Sequence, residues 1–146
     1  TDVSEAIRTP EMAMVASRVS ALPVVRDMLT KIQRDYGDRG NIVAEGRDTG
    51  TVVFPSAAHK FFLDAEPGER AKRRLVQLRT RGVDADFKQI LTMTLERDKN
   101  DSERAIAPLK KAQDAHCIDT TEITVDQVVD KIPRIIASKK KLKRLR

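Results

Sequence analysis

The stretch Asn41-Ile42-Val43-Ala44-Glu45-Gly46-Arg47-Asp48-Thr49-Gly50-Thr51-Val52-Val53-Phe54-Pro55 decides the fold class. Its apolar opening, Ile42-Val43-Ala44, reads as a buried strand of a parallel sheet. Glycines and charged side chains follow at once. In open α/β sheets, ligands bind just beyond the carboxyl ends of the strands. Glu45, Arg47 and Asp48 stand at that position, and Gly46 and Gly50 let the backbone turn sharply beside a ligand. The same residues also fit a plain polar turn in which Arg47 and Asp48 pair with each other.

Upstream of this stretch the pattern is helical. Thr9-Pro10-Glu11 is a helix start, with Thr9 as N-cap and Pro10 at the first helical position. Val15 and Val19 fall on one face of that helix, with Met12 and Ala16 beside them. Leu22-Pro23 ends it and opens another, in which Val25, Met28, Leu29 and Ile32 follow helical spacing. Residues 1–8 alternate weakly and suggest the end of a strand or hairpin. Downstream, residues 59–64 read as a second buried strand. A helix from Glu66 to about Arg81 carries Ala71, Leu75 and Leu78 on a narrow apolar face and is basic elsewhere. Asp86 can cap the next helix, whose stripe is Phe87, Ile90, Leu91, Thr94 and Leu95. His116-Cys117-Ile118-Asp119 reads as a third strand, with Cys117 in the core. Thr124-Val125-Asp126-Gln127 is a capping box that opens a last helix with Val125, Val128, Val129 and Ile132 inward. Pro133 is expected to kink or interrupt it. Strands alternating with helices give an α/β class with a parallel sheet.

Composition narrows the function classes. The 146 residues suffice for one domain. Aromatics are 3% with no Trp, which argues against a base-stacking platform for single-stranded nucleic acid. The net charge is +6, yet six of the residues 139–146 are basic, so the body is neutral. The charge describes a tail, which either contacts RNA or another polyanion or simply solubilises the chain end. Cys117 is the only cysteine, so no internal disulfide forms and a reducing, cytoplasmic setting suits the chain. No leader pattern or long apolar run points to export or a membrane. His59 and His116 lack metal-ligand spacing and read as structural, so no metal site is expected. Arg97, Asp101 and Arg104 are spaced i, i+4, i+7. That fits either an exposed ion-pair stripe, worth a few tenths of a kcal/mol per pair, or a phosphate clamp.

Residues 46–55, with Lys60-Phe61-Phe62-Leu63-Asp64-Ala65 and Arg104-Ala105-Ile106-Ala107-Pro108-Leu109, closely resemble bacterial cytidylate kinases. The resemblance runs over about residues 7–132. It implies a P-loop nucleoside-monophosphate-kinase type of three-layer α/β fold with a parallel sheet. It also implies transfer of a phosphoryl group from ATP, with Mg²⁺, to CMP or dCMP, giving the diphosphate and ADP. By that resemblance Ser17, Arg26 and Asp48 match the residues that read the base. A carboxylate accepts from the cytosine amino group while Arg and Ser serve its acceptors. Helix periodicity alone would instead turn Ser17 and Arg26 to solvent. Arg47 and Arg104 match positions at the acceptor phosphate, Arg97 and Asp101 positions at the sugar and the transfer region. Arg70, Arg73 and Arg74 would belong to the lid over ATP, or else to a solvated face. The resemblance divides the chain into residues 1–40, part of the monophosphate-binding subdomain, and residues 41–137, the core with a short lid at about 70–104. Residues 138–146 are the basic tail.

There are departures. The family commonly has Asp where Glu45 stands, and more arginine than Lys99 and Ser102 provide, which alters reach and fork geometry. The phosphate loop G-x-x-x-x-G-K-[ST] occurs nowhere in these residues. The first strand and its loop are therefore expected to be absent from this chain, leaving the fold incomplete and the chain inactive alone. The missing segment would lie between the strand ending at Ala44 and the one ending at Asp64. A non-catalytic CMP-binding module, or a kinase fragment with a structural or regulatory role, is the alternative.

Overall fold

Side-chain caps set the helix starts. In the computed structural model, which describes residues 2–4 and 6–143, Thr9 Oγ1 accepts the Met12 N–H at 3.2 Å and Pro10 opens α1 (Pro10–Val19). Pro23 opens α2 (Pro23–Gly37). Asp86 accepts from Gln89 N–H at 3.0 Å and caps α4 (Phe87–Glu103). The capping box is reciprocal: Thr124 N–H donates to Gln127 Oε1 at 2.8 Å and Gln127 N–H to Thr124 Oγ1 at 3.3 Å. It opens α5 (Val125–Lys143), which runs through Pro133 rather than stopping there. Proline lacks the N–H that would reach the Val129 carbonyl, but Val129 is exposed and water can serve that oxygen. The basic tail is helical as far as Lys143; residues 144–146 lie outside the described residues.

The sheet has two described strands, β1 (Phe61–Asp64) and β2 (His116–Asp119), parallel, with Phe61 opposite His116 and Asp64 opposite Asp119. Between them in sequence lie α3 (Pro67–Thr80) and α4, which pack on each other through Ala71, Leu78 and Ile90, with Ala85, Phe87 and Leu91 around them. This is the α/β arrangement the alternation implied. Ala71 and Leu78 of α3 and Phe87, Ile90 and Leu91 of α4 pack as read from the sequence, whereas Leu95 is exposed.

Several expectations fail. Val125 and Val129 of α5 are exposed rather than inward, and exposed Leu63 leaves the second expected strand only partly buried. Residues 41–45 are not a paired strand, and Val43 is fully exposed. A strand exists through its ladder, and among the described residues no neighbour lies alongside. Residues 1–8 give a single 3-10 turn, Ala6–Arg8, rather than a strand. Cys117 is exposed, because the two-residue alternation of β2 turns Ile118 inward and its neighbours outward. Finally, α1 buries Met14 and Ser17, and α2 buries Arg26 and Thr30, while Val15, Val19, Met28, Leu29 and Ile32 are exposed. Both helices are rotated to bury polar residues, and the reason lies in the partners those residues meet.

Among the described residues no helix is long and apolar enough to cross a membrane. Phe54 seats against the end of α2, where a Cβ on Gly37 would stand 2.4 Å from the Phe54 ring. Alanine would gain up to about 1 kcal/mol of helix propensity there, but displacing a packed ring costs about 1–3 kcal/mol. Gly37→Ala is therefore expected to lower stability by about 1 kcal/mol in urea titration, opposite in sign to the same change at an unobstructed helical glycine.

Candidate functional site

The segment after residues 41–45 closes on itself. The Asp48 carbonyl accepts from the N–H groups of Thr51, Val52 and Val53 at 3.2, 2.8 and 3.2 Å, and Phe54 N–H donates to the Thr49 carbonyl at 2.7 Å. The result is one π-turn, Thr49–Val53, a wide turn that occurs frequently at functional sites. Gly46 permits the approach, since a Cβ there would lie 2.9 Å from Thr49 Cγ2.

The turn delivers the Asp48 carboxylate to a buried position, 6% exposed. Arg26 Nη1 on α2 donates to both of its oxygens at 3.2 Å. Arg104 Nη2, from the residue that ends α4, stands 3.6 Å from Asp48 Oδ1. A second carboxylate, Asp101 on α4, is 3% exposed. Ser17 Oγ on α1 donates to its Oδ1 at 2.8 Å and Arg47 Nε to its Oδ2 at 2.9 Å. Arg97 Nε lies 3.8 Å from the same oxygen. The chain beyond α4 folds back over this cluster: Leu109 N–H donates to the Asp101 carbonyl at 2.7 Å, and Arg104 Nε to the Ala107 carbonyl at 2.6 Å. Ala107 takes a positive φ of 49° to make that turn.

Ser17, Arg26, Arg47, Asp48, Arg97, Asp101 and Arg104, scattered over most of the chain, are thus brought together. This explains the rotation of α1 and α2. A buried carboxylate must be paired and hydrogen-bonded, so Ser17 and Arg26 turn inward and the valines give way.

The cluster is not electrically balanced. Four guanidiniums face two carboxylates. Burial first, then the neighbouring Arg47, presses Arg97 below the ordinary arginine value. Burial first, then Arg26, does the same to Arg104. Two buried donors of the cluster, Arg97 Nε and Arg104 Nη2, have no hydrogen-bond partner among the described residues. Leaving a buried donor unmade costs about 1–3 kcal/mol. An anion with several acceptor oxygens would meet both.

The basic residues of α3 are engaged elsewhere. Arg70 forks onto Asp98 and donates to the Ala65 carbonyl at 3.0 Å, and hydrogen bonding to Asp98 raises its pKa. Arg73 donates to the Thr120 and Thr121 carbonyls, and Arg74 to the Arg8 carbonyl and Gln77. Arg70 and Arg73 thus tie α3 to the carboxyl ends of β1 and β2. The His116 ring tilts against Phe61 with centroids 5.9 Å apart. Among the described residues no three His, Cys, Asp or Glu groups converge to hold a metal.

Sequence reasoning missed two residues that shape the turn. Buried Lys60 donates Nζ to the Pro55 carbonyl and to Asp114 at 2.9 Å. Its signal was a lysine abutting an apolar strand. Arg34 donates to the carbonyls of Val52 and Val53. It stands two helical turns beyond Arg26.

The family model described as cytidylate kinase matches residues 1–138. The chain is 49% identical over 141 residues to the cytidylate kinase of Syntrophotalea carbinolica, covering 97% of this chain and 60% of that protein. It is 49% identical to that of Vibrio parahaemolyticus, with 94% and 61% covered. For that of Fervidobacterium nodosum the identity is 47%, with 97% and 64% covered. The chain therefore spans about three fifths of the length of these relatives.

Asp48→Asn would leave Arg26 and Arg104 buried with no facing charge. Breaking a buried pair from one side costs about 3–5 kcal/mol, so urea unfolding should show a loss near the lower end of that range. Glu103→Gln, on an exposed side chain at the end of α4, should change stability by under about 0.5 kcal/mol.

Proposed function

Because the chain belongs to the cytidylate kinase family, we propose that this cluster is the acceptor site of a nucleoside monophosphate kinase acting on CMP or dCMP. In this reading a phosphoryl group passes from ATP to the acceptor phosphate, giving CDP or dCDP and ADP. One observation carries the acceptor assignment: four guanidiniums gathered at two buried carboxylates, with two buried donor atoms, Arg97 Nε and Arg104 Nη2, that lack a hydrogen-bond partner among the described residues. A phosphate monoester is a dianion with oxygens disposed for arginine forks.

The roles follow from chemistry. Arg47 and Arg104 hold the acceptor phosphate. Arg97 and Asp101 orient the sugar and the moving group, since phosphoryl transfer depends chiefly on positioning and charge neutralisation. Ser17, Arg26 and Asp48 read the base. Cytosine offers an amino donor to Asp48 where uracil offers an oxygen, and an unpaired buried carboxylate discriminates strongly. CMP would take over hydrogen bonds that Asp48 and Asp101 now exchange with Arg26, Arg47 and Ser17.

On the donor side, Arg70, Arg73 and Arg74 remain the candidates for the ATP lid. Each would exchange a protein oxygen for a phosphate oxygen. The described carboxylates do not fit a resident cation, because Asp48 and Asp101 already face guanidiniums. Mg²⁺ would arrive on the nucleotide phosphates, as it commonly does. A glycine-lysine loop for the donor phosphates, on a strand between residues 42–44 and β1, would come from polypeptide outside these residues. The unpaired state of residues 41–45 supports that. A cytoplasmic setting belongs to the same reading.

Titration calorimetry tests the acceptor site. The chain should bind CMP in preference to UMP by at least about tenfold, one good hydrogen-bonded discrimination, and Asp48→Asn should erase the preference. Arg104→Met should weaken CMP by about 10–100-fold while changing cytidine little, since the lost partner is the phosphate. Equal binding of CMP and UMP by the parent chain would contradict the reading. In a coupled assay with ATP and Mg²⁺ the 146-residue chain should form no CMP-dependent ADP; turnover would show that the donor site is complete without further polypeptide.

A further inference from the structure

We propose that Arg34 is a positioning residue for base selectivity, acting through the π-turn; this rests on the acceptor-site reading above. The π-turn is a single helical turn, and its last carbonyls have no helical partner. Arg34 supplies one: Nε donates to the Val53 carbonyl at 3.1 Å and Nη2 to the Val52 carbonyl at 2.7 Å. A cation at that end also suits the turn's dipole. One guanidinium fork therefore spans two successive carbonyls.

The geometry on α2 makes this a clamp rather than an isolated contact. Arg26, Thr30, Arg34 and Gly37 recur at i, i+4, i+8 and i+11, which is one face of the helix. Arg26 takes the Asp48 carboxylate, Arg34 takes the far end of the turn, and Gly37 receives the Phe54 ring. Lys60 holds the Pro55 carbonyl, two residues past Val53, from the strand side. The turn is rigidly connected to the base-reading group, since the Asp48 carbonyl accepts the Val52 and Val53 N–H groups.

The consequence appears when a nucleotide binds. In the free chain Arg26 holds Asp48 directly. A base that engages Arg26 and Asp48 competes with that pair, and the direction of the carboxylate then depends on its backbone. Arg34 fixes that backbone without touching the base. Loosening it lets Asp48 swing away from an oxygen-bearing base, so discrimination against UMP falls more than affinity for CMP.

The test compares Arg34→Met and Arg34→Lys with the parent chain. Calorimetry with CMP and UMP reads the ratio of dissociation constants, thermal melting reads stability, and amide hydrogen exchange reads the turn without ligand. In Arg34→Met the UMP-to-CMP ratio should fall about tenfold, and the Val53 and Phe54 amides should exchange at least about tenfold faster, with α3 and α4 amides unchanged. Arg34→Lys keeps the charge but loses the fork, so it should recover the melting temperature and leave the ratio low. A variant whose ratio equals that of a discriminating parent overturns the proposal, whatever its stability, because a merely structural role lowers both affinities together. Unchanged exchange at the turn overturns it as well. A parent chain that fails to prefer CMP overturns the acceptor-site reading itself, and this inference with it.

Discussion

A carboxylate taken out of water must be met by donors, and Asp48 and Asp101 impose that demand on most of the molecule. Satisfying Asp48 draws in α2 through Arg26 and the end of α4 through Arg104. Satisfying Asp101 draws in α1 through Ser17 and the π-turn segment through Arg47. Three helices and one loop thus meet at two acidic groups rather than at an apolar core. The apolar core proper lies elsewhere, between α3 and α4.

This division has a cost and a use. Buried ion pairs contribute little net stability, because desolvation offsets most of the attraction. They do fix geometry, and here they bring arginines close together with charge to spare. Arg97 and Arg104 are each pressed below their ordinary pKa by burial and by a neighbouring guanidinium. On the acceptor-site reading, the cluster would be organised for an anion in advance, which is the preorganisation that phosphoryl transfer requires.

How much of this was legible in the sequence depended on which force dominated locally. Caps are short-range chemistry, so Thr9, Asp86 and Thr124 were readable. The α3 and α4 stripes were readable because they pack on each other as apolar faces do. The faces of α1 and α2 were not. Hydrophobic periodicity chose Val15, Val19, Met28 and Leu29, while the structure buries Ser17 and Arg26, whose partners lie 84 and 22 residues away. No local pattern encodes a long-range ion pair; family resemblance did, by treating those polar residues as one group. Residues 42–44 read as a strand because strand propensity is a property of the segment, whereas a strand is a property of a pair. Arg34 and Lys60 escaped notice because their partners are backbone carbonyls, which leave no trace in residue type.

Arginine Nε–H signals in ¹⁵N NMR spectra, followed as CMP is added, report directly on whether the guanidiniums around Asp48 and Asp101 form one ligand site. The signals of Arg26, Arg47, Arg97 and Arg104 should shift together and saturate at a common dissociation constant, while that of Arg18, exposed on α1, stays fixed. Shifts confined to arginines outside the cluster, or none at saturating CMP, would show that the cluster is structural packing and not a nucleotide site.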